Sequence, residues 1–586
     1  MASALLKSSQ PGSFRPPGKQ LIISIFVGIV TALVCLLLIK GPTAFISEER
    51  TTKYEGISEF EAIKILNEFY AKIDVTHLPP IMEPVDLEEV DLLEILPDID
   101  KYPLIVPPVK DSFSIEIASS PEKAAPLGSV GASYNRWLVE MAERFNKMKY
   151  VKKGQPVSVS LRSLPSGLAL DYIVSGKYLP DAFTPSNALW GDILKDRGVP
   201  HKLLAERLTG NVAGIVLEQS KYADFVAKYQ EVTVANVAKA VNQGAFVMGY
   251  TNPMVSSTGA NFMMSMLMSA NPNNPLSEEA QTEYARFQNN IPFVAYTTLQ
   301  MTEAARSGVL DGFVFELQQF VNSPELKANY VFTPFGVRHD NPVYALGDLS
   351  RDKIELLTLF ISFCRYPEAQ SLATKYGFNQ NDSYKGLDKI KGQYIPEAQK
   401  LFKERKSGQR ESMAVFVVDV SGSMAGAPLR FLKRSLIQGS KTISYNNFVG
   451  LVQFSDQVQI AVPISRFDLS QRSLFTGAVN NMSSGGGTAM FDALIVAAKM
   501  LVDAKAKRQN VKPMIIVLTD GESAQGHTFA DVAPMARGLK IPIFTIGYNA
   551  NLKTLKEVSA INEAASFEAD TDDIVYKMQS FFNAEM

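Results

Sequence analysis

The chain has 586 residues, enough for about four compact units at roughly 150 residues each. With 46% hydrophobic and 20% charged residues it can bury real cores, which excludes a wholly disordered or fibrous chain. Lys+Arg 58 against Asp+Glu 60 leaves a formal charge of −2, so no global positive field favours nucleic acid, and no nucleic-acid partner is expected.

Residues 1–20 carry Lys7, Arg15 and Lys19. They precede the uncharged run LIISIFVGIVTALVCLLLI, residues 21–39, which matches the roughly 20 residues needed to cross a hydrocarbon core. The pattern predicts a single transmembrane helix, with the basic end cytoplasmic and the remaining chain outside the cell membrane. A cleaved signal peptide fits less well, because its apolar core spans roughly 7–15 residues and a small-x-small site should follow it. Cys35 would then lie in the bilayer, far from Cys364, so no internal disulfide is expected.

Residues 41–110 read as an acidic, proline-rich stalk or linker. Phe60, Ile63, Leu66 and Phe69 recur at near-helical spacing and predict one helix over 57–73. Beyond it, prolines interrupt alternating acidic and aliphatic residues and favour extended structure. Such a segment suits a spacer above the membrane, although its Leu, Ile and Val residues also suit docking onto a folded surface.

Over 111–403 short apolar strands alternate with helices, which predicts α/β architecture with largely parallel sheets. FSIEIAS and VSVSLRS are strands, and Tyr134 to Met148 is an amphipathic helix. Ser119, Ser120, Thr184, Ser186, Ser256, Ser257 and Thr258 fall at strand ends or helix starts, where open α/β sheets bind ligands. The methionines of NFMMSMLM share one helix and are expected in a core rather than on a soft metal.

IEIASSPEK, PDAFTPSNALW, GYTNPMVSSTG and FTPFGVRHDNPVYAL, in this order, resemble the bilobed extracellular solute-binding proteins of bacterial transport systems. The resemblance implies two α/β lobes around a hinge, with a cleft that closes on a small polar or anionic solute. Ordinary capping explains each of the seven hydroxyls singly, and the cluster leaves capping and a ligand equally open. Arg338 and Asp340 either charge the cleft or form a surface ion pair.

The C-terminal unit, 413–586, opens with the uniformly apolar Met413-Ala-Val-Phe-Val-Val418, as expected of a central strand covered on both faces. It runs into Asp419-Val-Ser421-Gly-Ser423, a carboxylate and two hydroxyls at alternate positions. Farther on, Gly485-Gly-Gly-Thr488 delivers a hydroxyl at a helix start, and the strand MIIVL ends in Thr519-Asp520. These pieces in this order closely resemble the metal-ion-dependent adhesion site of the von Willebrand factor A domain family, a doubly wound, Rossmann-like fold. Carried across, Asp419, Ser421, Ser423, Thr488 and Asp520 match its metal positions. Oxygen donors without His or Cys select Mg²⁺, or Mn²⁺ or Ca²⁺, over zinc. The resemblance also implies a protein partner that supplies an Asp or Glu to the ion. Asp492 is expected in structural hydrogen bonding, Glu522 and Ser523 at the rim, and His527 exposed in a polar loop.

No phosphate-binding G-x-x-x-x-G-K-[ST] loop, G-x-S-x-G elbow or histidine beside a nucleophile is present, so a binding protein is expected rather than an enzyme. The alternatives are a transport receptor with an accessory A domain, and a self-closed form in which Asp86, Glu88 or Glu89 occupies the metal site.

Overall fold

A computed structural model describes residues 57–586 except 89, 130, 246, 292, 296–300, 302–309, 388–389, 406–410, 509, 522, 549–551, 560–565 and 571. The expected cytoplasmic end, the membrane helix over 21–39 and Cys35 lie outside the described residues. Among the described residues no helix is long and apolar enough to cross a membrane. Cys364 is buried and free.

Among the described residues three sheets carry the fold, and the chain enters two of them twice. The first contains Leu104–Val106, Gln155–Ser163, Phe113–Ser119, Ala182–Thr184, Val343–Leu346 and His201–Ala205, in that spatial order. Its centre is parallel, and the amphipathic helix Trp137–Lys147 covers it with Trp137, Leu138, Met141 and Phe145. The second sheet runs Phe293–Ala295, Met248–Thr251, Gly312–Glu316, Val212–Glu218, Tyr330–Arg338. The chain crosses between these lobes at 206–211 and again at 339–342, which makes a two-strand hinge. Met263, Met264 and Met266 of the helix Ser257–Ala270 are buried in the second lobe's core.

In the third sheet Glu411–Asp419 is central, flanked by Phe448–Phe454 and Val511–Thr519 with every pairing parallel. Among its described strands, Val458–Arg466 alone runs antiparallel to a neighbour, Phe448–Phe454. The apolar run of the central strand divides by alternation between two faces. Met413, Val415 and Val417 pack toward the helices Met490–Lys505 and Phe529–Leu539. Ala414, Phe416 and Val418 pack toward Ala427–Ser440 and Ile574–Glu585.

The segment expected to be a stalk is, from residue 57 onward, built into the folded units. The helix Glu59–Tyr70, closed by a Ser58/Glu61 capping box, buries Ala62 and Leu66 against the two helices on one face of the third sheet. Val75–His77 then adds an edge strand parallel to Val458–Ile460. Leu104–Val106 belongs to the first lobe's sheet, ahead of the boundary expected at 111. Prolines forbid long helices here, yet they leave an extended chain free to pair at sheet edges and bury its aliphatic residues. The third sheet's domain also touches the first lobe directly, through the Tyr576 hydroxyl donating to Asp171 at 2.7 Å and an ion pair between Lys101 and Asp570.

Candidate metal centre

Parallel pairing sets Val418 opposite Leu518, so the central strand and Val511–Thr519 end at the same edge of the sheet. Asp419 and Asp520 are therefore delivered to one place from positions far apart in the chain. After Asp419 a single 3₁₀ turn, Gly422–Met424, lifts Ser421 and Ser423 beside the carboxylate. Gly426, at φ 83°, then redirects the chain into the helix Ala427–Ser440.

One Asp419 oxygen accepts the Ser421 N–H at 2.8 Å, and the other accepts the Thr519 hydroxyl at 2.5 Å. Ser421 and Ser423 hydroxyls lie 3.0 Å apart, and Ser423 donates to Asp520 at 2.8 Å. The glycine loop is held against the first loop by Gly485 N–H to the Val420 carbonyl, 2.8 Å, and Gly422 N–H to the Gly486 carbonyl, 3.1 Å. Gly486 has φ 79°, and a Cβ there would lie 2.1 Å from an Asp456 oxygen, so the position requires glycine. The Thr488 carbonyl accepts from Ala524 N–H at 2.9 Å and from the Ser523 hydroxyl at 3.3 Å, tying the second loop to the third. All five expected residues thus lie on three loops that are hydrogen-bonded together.

Asp419 and Ser421 are fully buried, Thr488 and Asp520 are partly buried, and Ser423 is exposed, so the site is dry at its base and open at its rim. Among the described residues no Lys or Arg pairs with Asp419 or Asp520. Burial holds the Asp419 carboxyl above the ordinary carboxylate range, opposed by hydrogen bonds from Ser421 and Thr519, and Asp520 adds to the rise. A buried carboxylate without a counter-charge is costly, and an all-oxygen set around it fits a hard divalent cation. Asp419, Ser421, Ser423, Thr488 and Asp520 would hold that ion.

Thr519 was missed by sequence reasoning. Its signal was present, since it immediately precedes Asp520 on a strand parallel to the one ending at Asp419. Asp492 accepts from His527 through both the backbone N–H, at 2.9 Å, and Nδ1, at 2.6 Å. The His527 ring also packs on Phe69 at 4.6 Å, so it is enclosed rather than exposed. Ser523 bonds Thr488, while Glu522 lies outside the described residues. Among the described residues the acidic segment does not reach the site. Asp86 pairs with Lys441, past the far end of Ala427–Ser440, about 21 Å from the site for 14 helical residues. Glu88 donates its N–H to Asp86, and Glu89 lies outside the described residues.

The seven hydroxyls of the bilobed unit gather where the lobes meet. Ser120 and Ser186 donate to Glu122 at 2.5 and 3.0 Å, and Thr258 donates to Glu316 at 3.1 Å. Ser257 accepts from Trp190 Nε1 at 2.7 Å, and Ser119 bonds the Ser120 carbonyl at 3.3 Å. Ser256 is the N-cap of Ser257–Ala270. Of the seven, Thr184 Oγ1 is buried without a hydrogen-bond partner among the described residues. Arg338 and Asp340 pair at 3.0 Å, with Arg338 also held by the carbonyls of Asn381 and Tyr384, so they brace the hinge.

The family model of the von Willebrand factor type A domain matches residues 414–584, and that of the bacterial extracellular solute-binding protein matches 129–379. Human (Homo sapiens) collagen alpha-5(VI) chain is 27% identical over 232 residues, 38% of this chain and 8% of that protein. The human voltage-dependent calcium channel subunit alpha-2/delta-2 is 27% identical over 162 residues, 26% of this chain and 14% of that one. The chain thus spans only a small part of these relatives. Among solved structures, iron-bound HitA from Pseudomonas aeruginosa is 12% identical, with TM-score 0.36, covering 50% of this chain and 99% of that one. The sulfate-binding protein SubI from Mycobacterium tuberculosis H37Rv is 13% identical, with TM-score 0.33, covering 48% and 90%. On the two family matches, residues 414–584 form a von Willebrand factor type A domain, a protein-interaction type of domain, and residues 129–379 a solute-binding-protein-like domain.

Proposed function

We propose that the protein is a membrane-anchored binding protein, not an enzyme, whose C-terminal domain recruits a protein partner through Mg²⁺ held by Asp419, Ser421, Ser423, Thr488 and Asp520. The observation that carries this is the buried Asp419 carboxylate, fixed by Ser421 and Thr519 and without a cationic side chain among the described residues. A bound divalent cation would supply a positive centre at an open rim, suited to an Asp or Glu side chain of the partner. The chain's own residues orient the donors: Thr519 fixes the Asp419 carboxylate, and Ser523 and Ala524 fix the Thr488 loop. The apolar run over 21–39 would anchor the chain in the cell membrane and place both domains outside.

Two measurements test the proposal. Calorimetric titration with Mg²⁺ should show binding to the wild type and none to Asp419→Ala; equal affinity would remove the site. A pull-down with the extracytoplasmic portion should lose its partner in EDTA and in Asp520→Ala, and retention in both would remove the metal-dependent mode.

A further inference from the structure

The two lobes of the solute-binding-like unit touch directly. Gly167 N–H donates to the Val255 carbonyl at 3.1 Å, and a Cβ at Gly167 would lie 2.5 Å from the Met254 carbonyl oxygen. Trp190 and Ser166 of the first lobe both bond Ser257 of the second, at 2.7 and 3.2 Å. On the other side, Gln318 of the second lobe donates to the Tyr134 carbonyl and to Asn135, at 2.8 and 3.0 Å.

Between these contacts lies a lysine. Lys123 follows the strand Phe113–Ser119, and its ammonium is wholly buried. An ammonium has three donors, and here it has three acceptors: Ser120 Oγ at 2.5 Å, the Thr184 carbonyl at 2.9 Å and Glu122 at 3.1 Å. Glu122, also buried, takes the Ser120 and Ser186 hydroxyls as well. From the opposite lobe the Glu316 carboxylate favours the charged lysine, and it is itself held by Thr258, His339 and Asn211 at 3.1, 3.1 and 2.9 Å. His339 in turn bonds Asn187 of the first lobe at 3.1 Å. Desolvation works against the ammonium and is the largest influence on it, so the cluster is costly unless every member is satisfied. The closed arrangement satisfies it, and opening would expose it to water.

We propose that the cleft closes on the chain's own side chains, with Lys123 ion-paired to Glu122, and the hydroxyls of the two lobes turned onto Glu122 and Glu316, in the place a free solute would need. The bilobed unit then reaches its closed form without a small molecule and serves as a rigid platform beside the A domain. Removing the lysine charge leaves the buried Glu122 carboxylate without its cation, which draws water in and loosens the lobe contact.

Native mass spectrometry of the purified full chain should release no stoichiometric small molecule on denaturation. Acrylamide quenching of Trp190, read in a Trp137→Phe background, should be low and unaffected by inorganic sulfate or phosphate. Lys123→Met should keep its circular dichroism while Trp190 quenching rises severalfold. A released stoichiometric solute, quenching that falls on adding sulfate or phosphate, or a folded Lys123→Met protein as protected as the wild type would each overturn the proposal. Should the variant fail to fold, the released-mass and anion measurements on the wild type decide it alone.

Discussion

The A-domain site and the interlobe cluster start from similar ingredients. Each gathers hydroxyls and carboxylates beyond the ends of parallel strands, and each has a buried carboxylate at its base. In the cluster, Lys123 supplies the positive charge from the same polypeptide, and the surrounding residues are sealed from water. At the A-domain site no lysine or arginine among the described residues plays that part, and Ser423, Thr488 and Asp520 remain accessible. Hydroxyls at strand ends therefore do not by themselves mark a ligand site. What separates the two is whether the chain already contains the counter-charge, because an uncompensated buried carboxylate must find one elsewhere.

The largest expected effect breaks the comparison at the metal side. Asp419→Ala should lower Mg²⁺ affinity by more than about 100-fold, since even outer-shell changes around metal sites cost roughly 10–100-fold. On the sealed side, Glu122→Gln leaves Lys123 without its carboxylate, and loss of one member of a buried pair costs about 3–5 kcal/mol. Denaturant unfolding should show that loss without a change in Mg²⁺ binding, and a shift below about 1 kcal/mol would mean the pair is not buried in solution.

Thr519→Val keeps shape and removes the donor that fixes Asp419. It should weaken Mg²⁺ binding by roughly 10–100-fold and lower the stability of the metal-free protein by about 1–3 kcal/mol. Asp171 tests the contact between the two domains. Burial raises its pKa to about 6, against opposing influences from Tyr576 and Arg197. The folded protein then holds this proton where the unfolded chain has lost it, so stability should fall as pH rises from about 4 through 6. Asp171→Asn should flatten that part of the melting profile and raise the melting temperature at neutral pH; an unchanged profile would place Asp171 in water. The smallest effect is expected at Asp492→Asn, which weakens the bond to His527. Metal affinity should fall only a few-fold, about 1 kcal/mol, with faster amide exchange over 523–527.

The three segments of the candidate metal site were legible because their signals are local: an apolar run for a central strand, glycines before Thr488, and a carboxylate at a strand end. The same local reading fails for 57–110. Its prolines and acids suggest a spacer, yet Val75–His77 pairs with a strand nearly 400 residues later, and no short window contains both partners. His527 failed for a similar reason, since its enclosure depends on Asp492 and Phe69, which arrive from two other elements.

The sequence alone determined the two α/β units, the order of their elements and the oxygen-donor chemistry at 419–423, 488 and 520, because periodicity, turn residues and ligand hardness are properties of short segments. Three-dimensional packing alone establishes that Thr519 orients Asp419, that Asp86 is far from the candidate metal site, and that Lys123 stands among the hydroxyls of the cleft. Each of these depends on strand register and on distances between residues remote in the chain, and whether a buried charge is compensated is settled only when those distances are fixed.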